Sequence, residues 1–505
     1  MRCLYAGMGT DLISGLFIEQ AAHELGLLNT NKPFIQCLEV MISCFIYCLL
    51  FIFRHCGCLL FISKQTEATD FDTRCQKLLL SLGDRVDHIH SDIIERINPN
   101  HRDLIEGLVW PSKSQIHSDG FGSFKVGMSC IQEATDILQK DAFHGGQSKC
   151  IKTGASVLMG DIDDDAEPPS SSDPLTLVSA GIPCTDHSAL GARSRFIGPT
   201  ALGATVFSQE RRYRQREEHF VFTECAPDWE PLALKGALYP KSTIQSVKAQ
   251  LHDFNFPVFR ERTLSLANNN GLSQFVMSFE EFLQKIKQPP VHKGKDLYVE
   301  QPVVVQQELD ARSRHRSICC IGPPTFETHT LTAPQQVRLQ AYRLNAVRRQ
   351  GTKRVSANQA HGWIADLEQN EDATGRLSTS LPTILTHGCM WCEAPGISRP
   401  AMKFEYLSFQ SMPCLPDHYW GAGDDLHSVR PPLKFLQVLS TMSDADLQHV
   451  AGNACPVKFS TLAILYILSC STPQAFCLND ILCLCFLLFH ILISRHMFLF
   501  CLLVL

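Results

Sequence analysis

The chain has 505 residues, of which 19% are charged and 45% hydrophobic, which excludes a largely disordered protein. That length suits one large and one small domain. A net charge of -6 excludes a protein that is basic all over, so any nucleic-acid surface must be local.

Leu4-Tyr5-Ala6-Gly7-Met8-Gly9-Thr10 opens the chain. A short strand, an aromatic and Gly-x-Gly before a helical stretch from Asp11 read as the first turn of a Rossmann-like unit. Glycines there let the backbone approach a ligand closely, and the missing third glycine argues against NAD. No secretory signal is expected at this start. A second strand should follow and end in an acid. Instead residues 42–63 form an apolar run broken by Arg54 and His55, read as an insertion rather than a membrane span. Glu67-Ala68-Thr69-Asp70-Phe71-Asp72 then leads into a helix, with Asp70 as the strand-end acid and Glu39 as its competitor. Val86 to Ile93 reads as a third strand ending at Asp92.

An acidic linker, 161–173, delivers the chain to Leu175-Thr176-Leu177-Val178, a short apolar run expected to be a buried parallel strand. Gly181-Ile182-Pro183-Cys184 follows, so a cysteine stands at the carboxyl end, where open α/β sheets place their chemistry. The basic run Arg211 to Arg216 is either a solvated helix face or a phosphate-contacting segment. Phe220-Val221-Phe222-Thr223-Glu224-Cys225 is the next strand, ending in an acid. In Phe259-Arg260-Glu261-Arg262, strand alternation places both arginines on one face.

From Arg312 to Arg354 nine Lys/Arg face a single acid, Glu327, which suits phosphate contact or an exposed basic helix. Cys389 and Cys392 form a CxxC near His387. A zinc site usually needs a second pair, so no metal is expected, and the scattered cysteines indicate a reducing compartment. Leu381-Pro382-Thr383-Ile384, Arg399-Pro400, Glu405 and Gln410-Ser411-Met412-Pro413 precede Gln448-His449-Val450-Ala451-Gly452-Asn453. Residues 458–505 are apolar again.

These motifs, in this order, resemble the cytosine-C5 DNA methyltransferases. The resemblance covers roughly residues 1–35 and 64–456. It implies an α/β, Rossmann-like S-adenosylmethionine-dependent methyltransferase fold with a smaller target-recognition domain. The expected division is a catalytic domain over 1–265, a target-recognition region over 266–375, closing motifs over 376–457 and an apolar tail over 458–505. Cys184 is implied as nucleophile, Glu224 as general acid, and Arg262, supported by Arg260, as the group holding the cytosine carbonyl. Tyr5, Gly7, Gly9, Asp70, Asp92, Pro183 and Asn453 are implied at the S-adenosylmethionine site. Asp70 would accept from the ribose hydroxyls and Asp92 from the adenine amino group.

The implied partner is double-stranded DNA with a flipped cytosine, and the implied location is nuclear or otherwise DNA-associated. An RNA (tRNA) cytosine-C5 methyltransferase, or a catalytically impaired nucleic-acid-binding or membrane-anchored relative, stays open. Membrane contact through the tail is the less favoured reading. The sequence departs from the family at Cys225 and Ala226, where Glu-Asn-Val is usual, and at Ser411, where Gln-Gly-Phe-Pro is usual.

Overall fold

The computed structural model describes residues 2–4, 65–70, 72–111, 115, 120–158, 176–182, 201–214, 218–229, 242–299, 303, 305–308, 310, 330–351, 362–369, 378–412 and 433–473. In chain order the strands are β1 Arg2–Leu4, β2 Gln65–Thr69, β3 Val86–His90, β4 Gln147–Lys149, β5 Ser156–Leu158, β6 Leu177–Gly181, β7 Phe220–Cys225, β8 Ser242–Gln250, β9 Glu261–Asn269, β10 Ser273–Phe275, β11 Trp363–Asp366, β12 Met390–Ala394, β13 Ile397–Pro400 and β14 Ser471–Pro473. The helices are α1 Thr73–Ser81, α2 Pro99–Glu106, α3 Gly120–Ile137, α4 Ala201–Tyr213, α5 Phe279–Ile286, α6 Ala333–Gly351, α7 Lys403–Ser408, α8 Leu433–Thr441, α9 Asp444–Asn453 and α10 Val457–Cys470.

A seven-stranded sheet runs in the order β3-β2-β1-β6-β7-β9-β8. The first five strands are parallel, and β9 lies antiparallel to both β7 and β8. The chain winds outward from β1 to β3 and then returns to the other side of β1. The strand order therefore reverses between β1 and β6, which is where such sheets bind ligands. This is the α/β, Rossmann-like architecture that the resemblance implied, with a smaller second unit.

Parallel strands covered on both faces must be apolar on both. All six residues of β7 are buried. Alternation divides β6 and β7 alike: Leu177, Phe220 and Phe222 join one core, and Val178, Ala180 and Val221 the other. On the first face lies α1, whose Cys75, Leu78 and Leu79 form a buried stripe at helical spacing. Asp72 caps it, its carboxylate accepting from Arg74 N at 2.9 Å. Residues of the segment before α3 and of α4 fill the opposite core, among them Ile97, Ala204 and Phe207.

The basic run at 211–216 is only partly a solvated face: Arg212 is exposed, whereas Arg211 and Arg214 are buried. Arg211 is 1% exposed and pairs with Glu210 at 2.8 Å and with Glu218. Arg96 and Arg214 also bind Glu210, at 2.7 and 2.9 Å. Burial acts to raise the Glu210 carboxyl, but the Arg211, Arg96 and Arg214 charges hold it well below the usual carboxylate range. Charges this deep persist only when paired, and the sequence pattern hid the two glutamates that pair them.

Three expected boundaries move. The folded chain does not end at 457, because α10 is a core helix: Phe459, Ala463 and Tyr466 are fully buried, and β14 pairs with β10. Tyr466 donates to Met277 O at 2.5 Å and stacks on Phe275. The stretch Asp444–Cys470 is long and apolar enough to cross a membrane, yet 78% of its apolar window is buried within the protein. At the second boundary, the end of β9 with β10 and α5 stays with the main sheet and its core.

The second unit is the antiparallel sheet β11-β12-β13 with α6. Its own core is Leu331, Leu339, Tyr342, Ala365, Leu367 and Trp391. It therefore straddles the expected division at 375, because β12 and β13 complete a sheet that β11 begins.

Candidate functional site

Three neighbouring strand ends meet beside the switch point. β6 ends at Gly181, opposite Glu224 of β7. The next residue ties the two together, Ile182 N donating to Glu224 O at 2.9 Å. On the other side of β7, Thr263 of β9 pairs with Cys225, which puts Arg262 just past the end of β7. The Arg262 Nε lies 2.7 Å from Glu224 Oε1, and both side chains are about nine-tenths buried. Arg262 also donates to Glu261 O at 2.7 Å, and Thr263 Oγ1 donates to Pro227 O at 3.0 Å, fixing the loop after β7. Cys225, where the family has another residue, is wholly buried.

Arg260 and Arg262 part company, although alternation put them on one face. Arg260 precedes β9, in a segment held to 381–383 by a Val258–Leu381 bridge, a Phe259 N to Leu381 O bond of 2.7 Å and a Thr383 Oγ1 to Phe259 O bond of 2.7 Å. Its guanidinium donates to the carbonyls of Ile384 (3.2 Å), Gly452 (3.2 Å) and Ala454 (2.8 Å). It ties two of the closing motifs to the sheet, while only Arg262 is brought to Glu224.

At the opposite side of the switch point, β2 pairs Thr69 with His90 of β3 and with Leu4 of β1. Asp70 follows at this carboxyl edge, 7% exposed, its N–H donating to His90 O at 3.2 Å. Its Oδ1 accepts from Asp72 N at 2.9 Å. The Thr69 hydroxyl beside it is buried with no hydrogen-bond partner among the described residues. A buried hydroxyl without a partner next to an acceptor-only carboxylate suits a ligand bearing hydroxyls. Asp92 caps the short turn that follows β3, one oxygen accepting from Ile94 N at 3.0 Å.

Asn453 ends α9. Its amide lies 3.0 Å from His449 Nε2, which lies 3.3 Å from Asp72 Oδ2. A chain of contacts thus runs from Asp70 through Asp72 and His449 to Asn453. Asp72 and His449 lie within the family-like motifs, but the motifs assign them no role; an acid two residues after Asp70, at a helix start, was the visible signal. The structure gives Gly452 a reason too: a Cβ there would sit 2.5 Å from Thr386 N. Ser411 adopts φ 56°, the conformation in which glycine is at home. The family's glycine turn is therefore kept by a serine, whose Oγ accepts from Lys458 N at 2.9 Å.

Arg399 and Glu405 of the late motif make a buried two-point pair at 2.9 and 2.7 Å. On α6 the expected basic patch is partly neutralised. Arg338 pairs with Glu368 at 3.1 Å and Arg343 with Glu393 at 3.0 Å, both acids coming from beyond the basic segment itself. Arg348 is exposed. Among the described residues no group of three His, Cys, Asp or Glu is placed to hold a metal.

Tyr5, Gly7, Gly9, Glu39, residues 42–63, Pro183, Cys184, Arg312, Arg314 and Arg316 lie outside the described residues.

No family model and no curated protein matches the chain. Similar solved structures include the S. pombe Dnmt2 methyltransferase, at 10% identity and a TM-score of 0.34 over 92% of this chain and 97% of that one. A mutant of Spodoptera frugiperda DNMT2 has 10% identity and a TM-score of 0.34 over 92% and 99%. An E. coli prophage protein described as a DNA modification methyltransferase has 11% identity and a TM-score of 0.33 over 90% and 97%. In its strand order and in the order of its motifs, the chain resembles the cytosine-C5 methyltransferases.

Proposed function

We propose that this protein transfers a methyl group from S-adenosylmethionine to carbon 5 of cytosine in DNA, through a covalent adduct with Cys184. The observation that carries the reading is the Glu224–Arg262 pair at the end of β7, beside the strand that leads to Cys184.

Carbon 5 of cytosine is too weak a nucleophile to take a methyl group unaided. In this reading the Cys184 thiolate adds to carbon 6 while Glu224 gives a proton to ring nitrogen 3, which makes carbon 5 enamine-like. Arg262 holds the carbonyl oxygen of the base, and Arg260 keeps the closing segment in place behind it. Bound S-adenosylmethionine would supply an electrophilic methyl group. Carbon 5 then loses its proton to a base, the carbon–sulfur bond breaks, nitrogen 3 returns its proton, and Cys184 is free again. Asp70, Asp92 and Asn453 would hold the cofactor, with Tyr5, Gly7, Gly9 and Pro183 joining them by resemblance. The buried Thr69 hydroxyl beside Asp70 supports a ribose there. A base inside a duplex is out of reach, so the cytosine must be flipped out. The basic segment 312–354, with Arg348 exposed, supports a nucleic-acid partner and with it a DNA-associated location.

The test uses a DNA duplex with 5-fluorocytosine at the target position. Fluorine does not leave as the proton does, so the protein should stay attached. Cys184→Ser should abolish the adduct and leave S-adenosylhomocysteine binding nearly unchanged. An adduct formed only on tRNA would move the substrate to RNA. No adduct on either nucleic acid would overturn the reading.

A further inference from the structure

Asp72 has three roles at once. Its N–H holds the Asp70 carboxylate at 2.9 Å. Its own carboxylate caps α1 and takes two bonds from the Arg74 guanidinium, both at 2.8 Å. The same carboxylate faces His449 of α9 at 3.3 Å, and Arg74 reaches Asp446 of α9 at 3.5 Å. Negative and positive groups from two helices thus alternate around one contact. Arg74 and His449 also outweigh the burial that would raise the Asp72 carboxyl, and hold it below the usual carboxylate range.

His449 Nε2 lies between this carboxylate and the Asn453 amide, 3.0 Å away. A carboxylate only accepts, so a bond across this contact is donated by Nε2, and the contact sets His449 and the Asn453 amide at the end of α9 against the cap of α1.

We propose that Asp72 is a positioning residue of the cofactor site, closing α9 onto α1 so that the Asp70 carboxylate and the Asn453 amide face the nucleoside part of S-adenosylmethionine together. This rests on the function proposed above. A residue that only capped α1 would be replaced without loss by asparagine, which caps equally well. Asparagine carries no charge, however, and would leave His449 without this anion and Arg74 with only Asp446, 3.5 Å away.

The experiment is calorimetry on the full chain with S-adenosylhomocysteine, beside steady-state methylation of DNA. Asp72→Asn should weaken binding about tenfold, the size of one lost charge-assisted hydrogen bond, with Tm nearly unchanged. His449→Gln should act in the same direction. The double variant should bind no more weakly than Asp72→Asn, because both act through one contact. KM for S-adenosylmethionine should rise while kcat at saturating cofactor stays within about twofold. Ser443→Ala removes the cap of α9, where Asp446 N donates to Ser443 Oγ at 3.1 Å, and serves as the stability control. It should lower Tm and leave affinity alone. Wild-type affinity in Asp72→Asn would overturn this proposal alone. No heat with folded wild-type protein would overturn it together with the cofactor reading.

Discussion

Glu224 and Arg262 meet across two antiparallel neighbours, Nε to Oε1 at 2.7 Å, one at the end of β7 and the other at the start of β9. The reversal of direction at β9 is what allows this. A parallel neighbour would present its carboxyl end here, whereas β9 brings its beginning, and with it an arginine, to the edge where β6 and β7 stop.

That pair sets the first prediction. Glu224→Gln should keep the fold and slow methyl transfer by roughly 10²–10⁴-fold, the loss expected for a general acid. Arg262→Leu should cost stability as well, on the order of 3–5 kcal/mol, because it leaves the buried Glu224 carboxyl without its partner. Adding Glu224→Gln to Arg262→Leu should recover part of that stability. Thermal unfolding of the three variants, beside single-turnover rates, checks this. Equal Tm values for Arg262→Leu and the double variant would show that the pair is not coupled.

The second prediction concerns Gly452. Its helix lies so close to Leu385 and Thr386 that a methyl group would meet backbone atoms, the nearest at 2.5 Å. Gly452→Ala should destabilise by about 1–3 kcal/mol, as overpacking does, even though alanine is the better helix former. It should also disturb Arg260, which donates to the Gly452 carbonyl. A shift in the urea midpoint, read against Ala445→Gly at an exposed position of the same helix, separates packing from helix propensity.

Third, the buried network of Arg96, Glu210, Arg211, Arg214 and Glu218 should be costly to break. Glu210→Gln removes the shared anion of three arginines and should lose about 3–5 kcal/mol. The pH dependence follows from the depressed carboxyl of Glu210. Its contribution is complete above the unfolded-state pKa, about 4.3 for glutamate, and is lost as pH falls through the lower folded value. Acid titration of stability below about pH 4 should therefore fall more steeply for the wild type than for Glu210→Gln. Parallel curves would disprove the assignment.

The fourth prediction separates α10 from the residues beyond β14. A chain stopped after Pro473 should keep the core, because Phe459, Ala463, Tyr466 and β14 are retained. Stopping after Val457 strips away a helix on which Phe275, Phe279 and Phe282 pack and should leave no cooperative transition. Circular dichroism melts of the two chains give the answer.

Much of the sheet was legible in the sequence because buried parallel strands write themselves as short apolar runs. Leu177-Val178 and Phe220 to Cys225 did so, and Glu224 came with the second. Asp70 was legible instead as an acid ahead of a helix, and Asp92 as the acid ending the strand read from Val86. The partners of charges were not legible. Nothing in the run 211–216 announces that Arg211 is buried, since Glu218 reaches it, and Arg96 reaches its partner Glu210, through the fold. Arg338 and Arg343 are neutralised by Glu368 and Glu393, residues that no local window contains. The apolar helix at 457–470 reads as part of a tail for a related reason. Composition alone does not separate a core helix from a tail, and its burial depends on β8, β10 and α5.

The closure of α9 on α1 has a consequence for how the chain is made. Arg74 and Asp446 lie 372 positions apart. At about 5–20 residues per second, a ribosome needs roughly 20–75 s to deliver the second after the first. Until then the apolar stripe of α1 and the sheet face beneath it lack the cover of α8, α9 and α10. The nascent protein must therefore hold an unfinished core through most of its own synthesis. Non-local contacts of this kind fold slowly and expose sticky surface meanwhile, so this chain should depend on chaperones during translation more than its size alone would require.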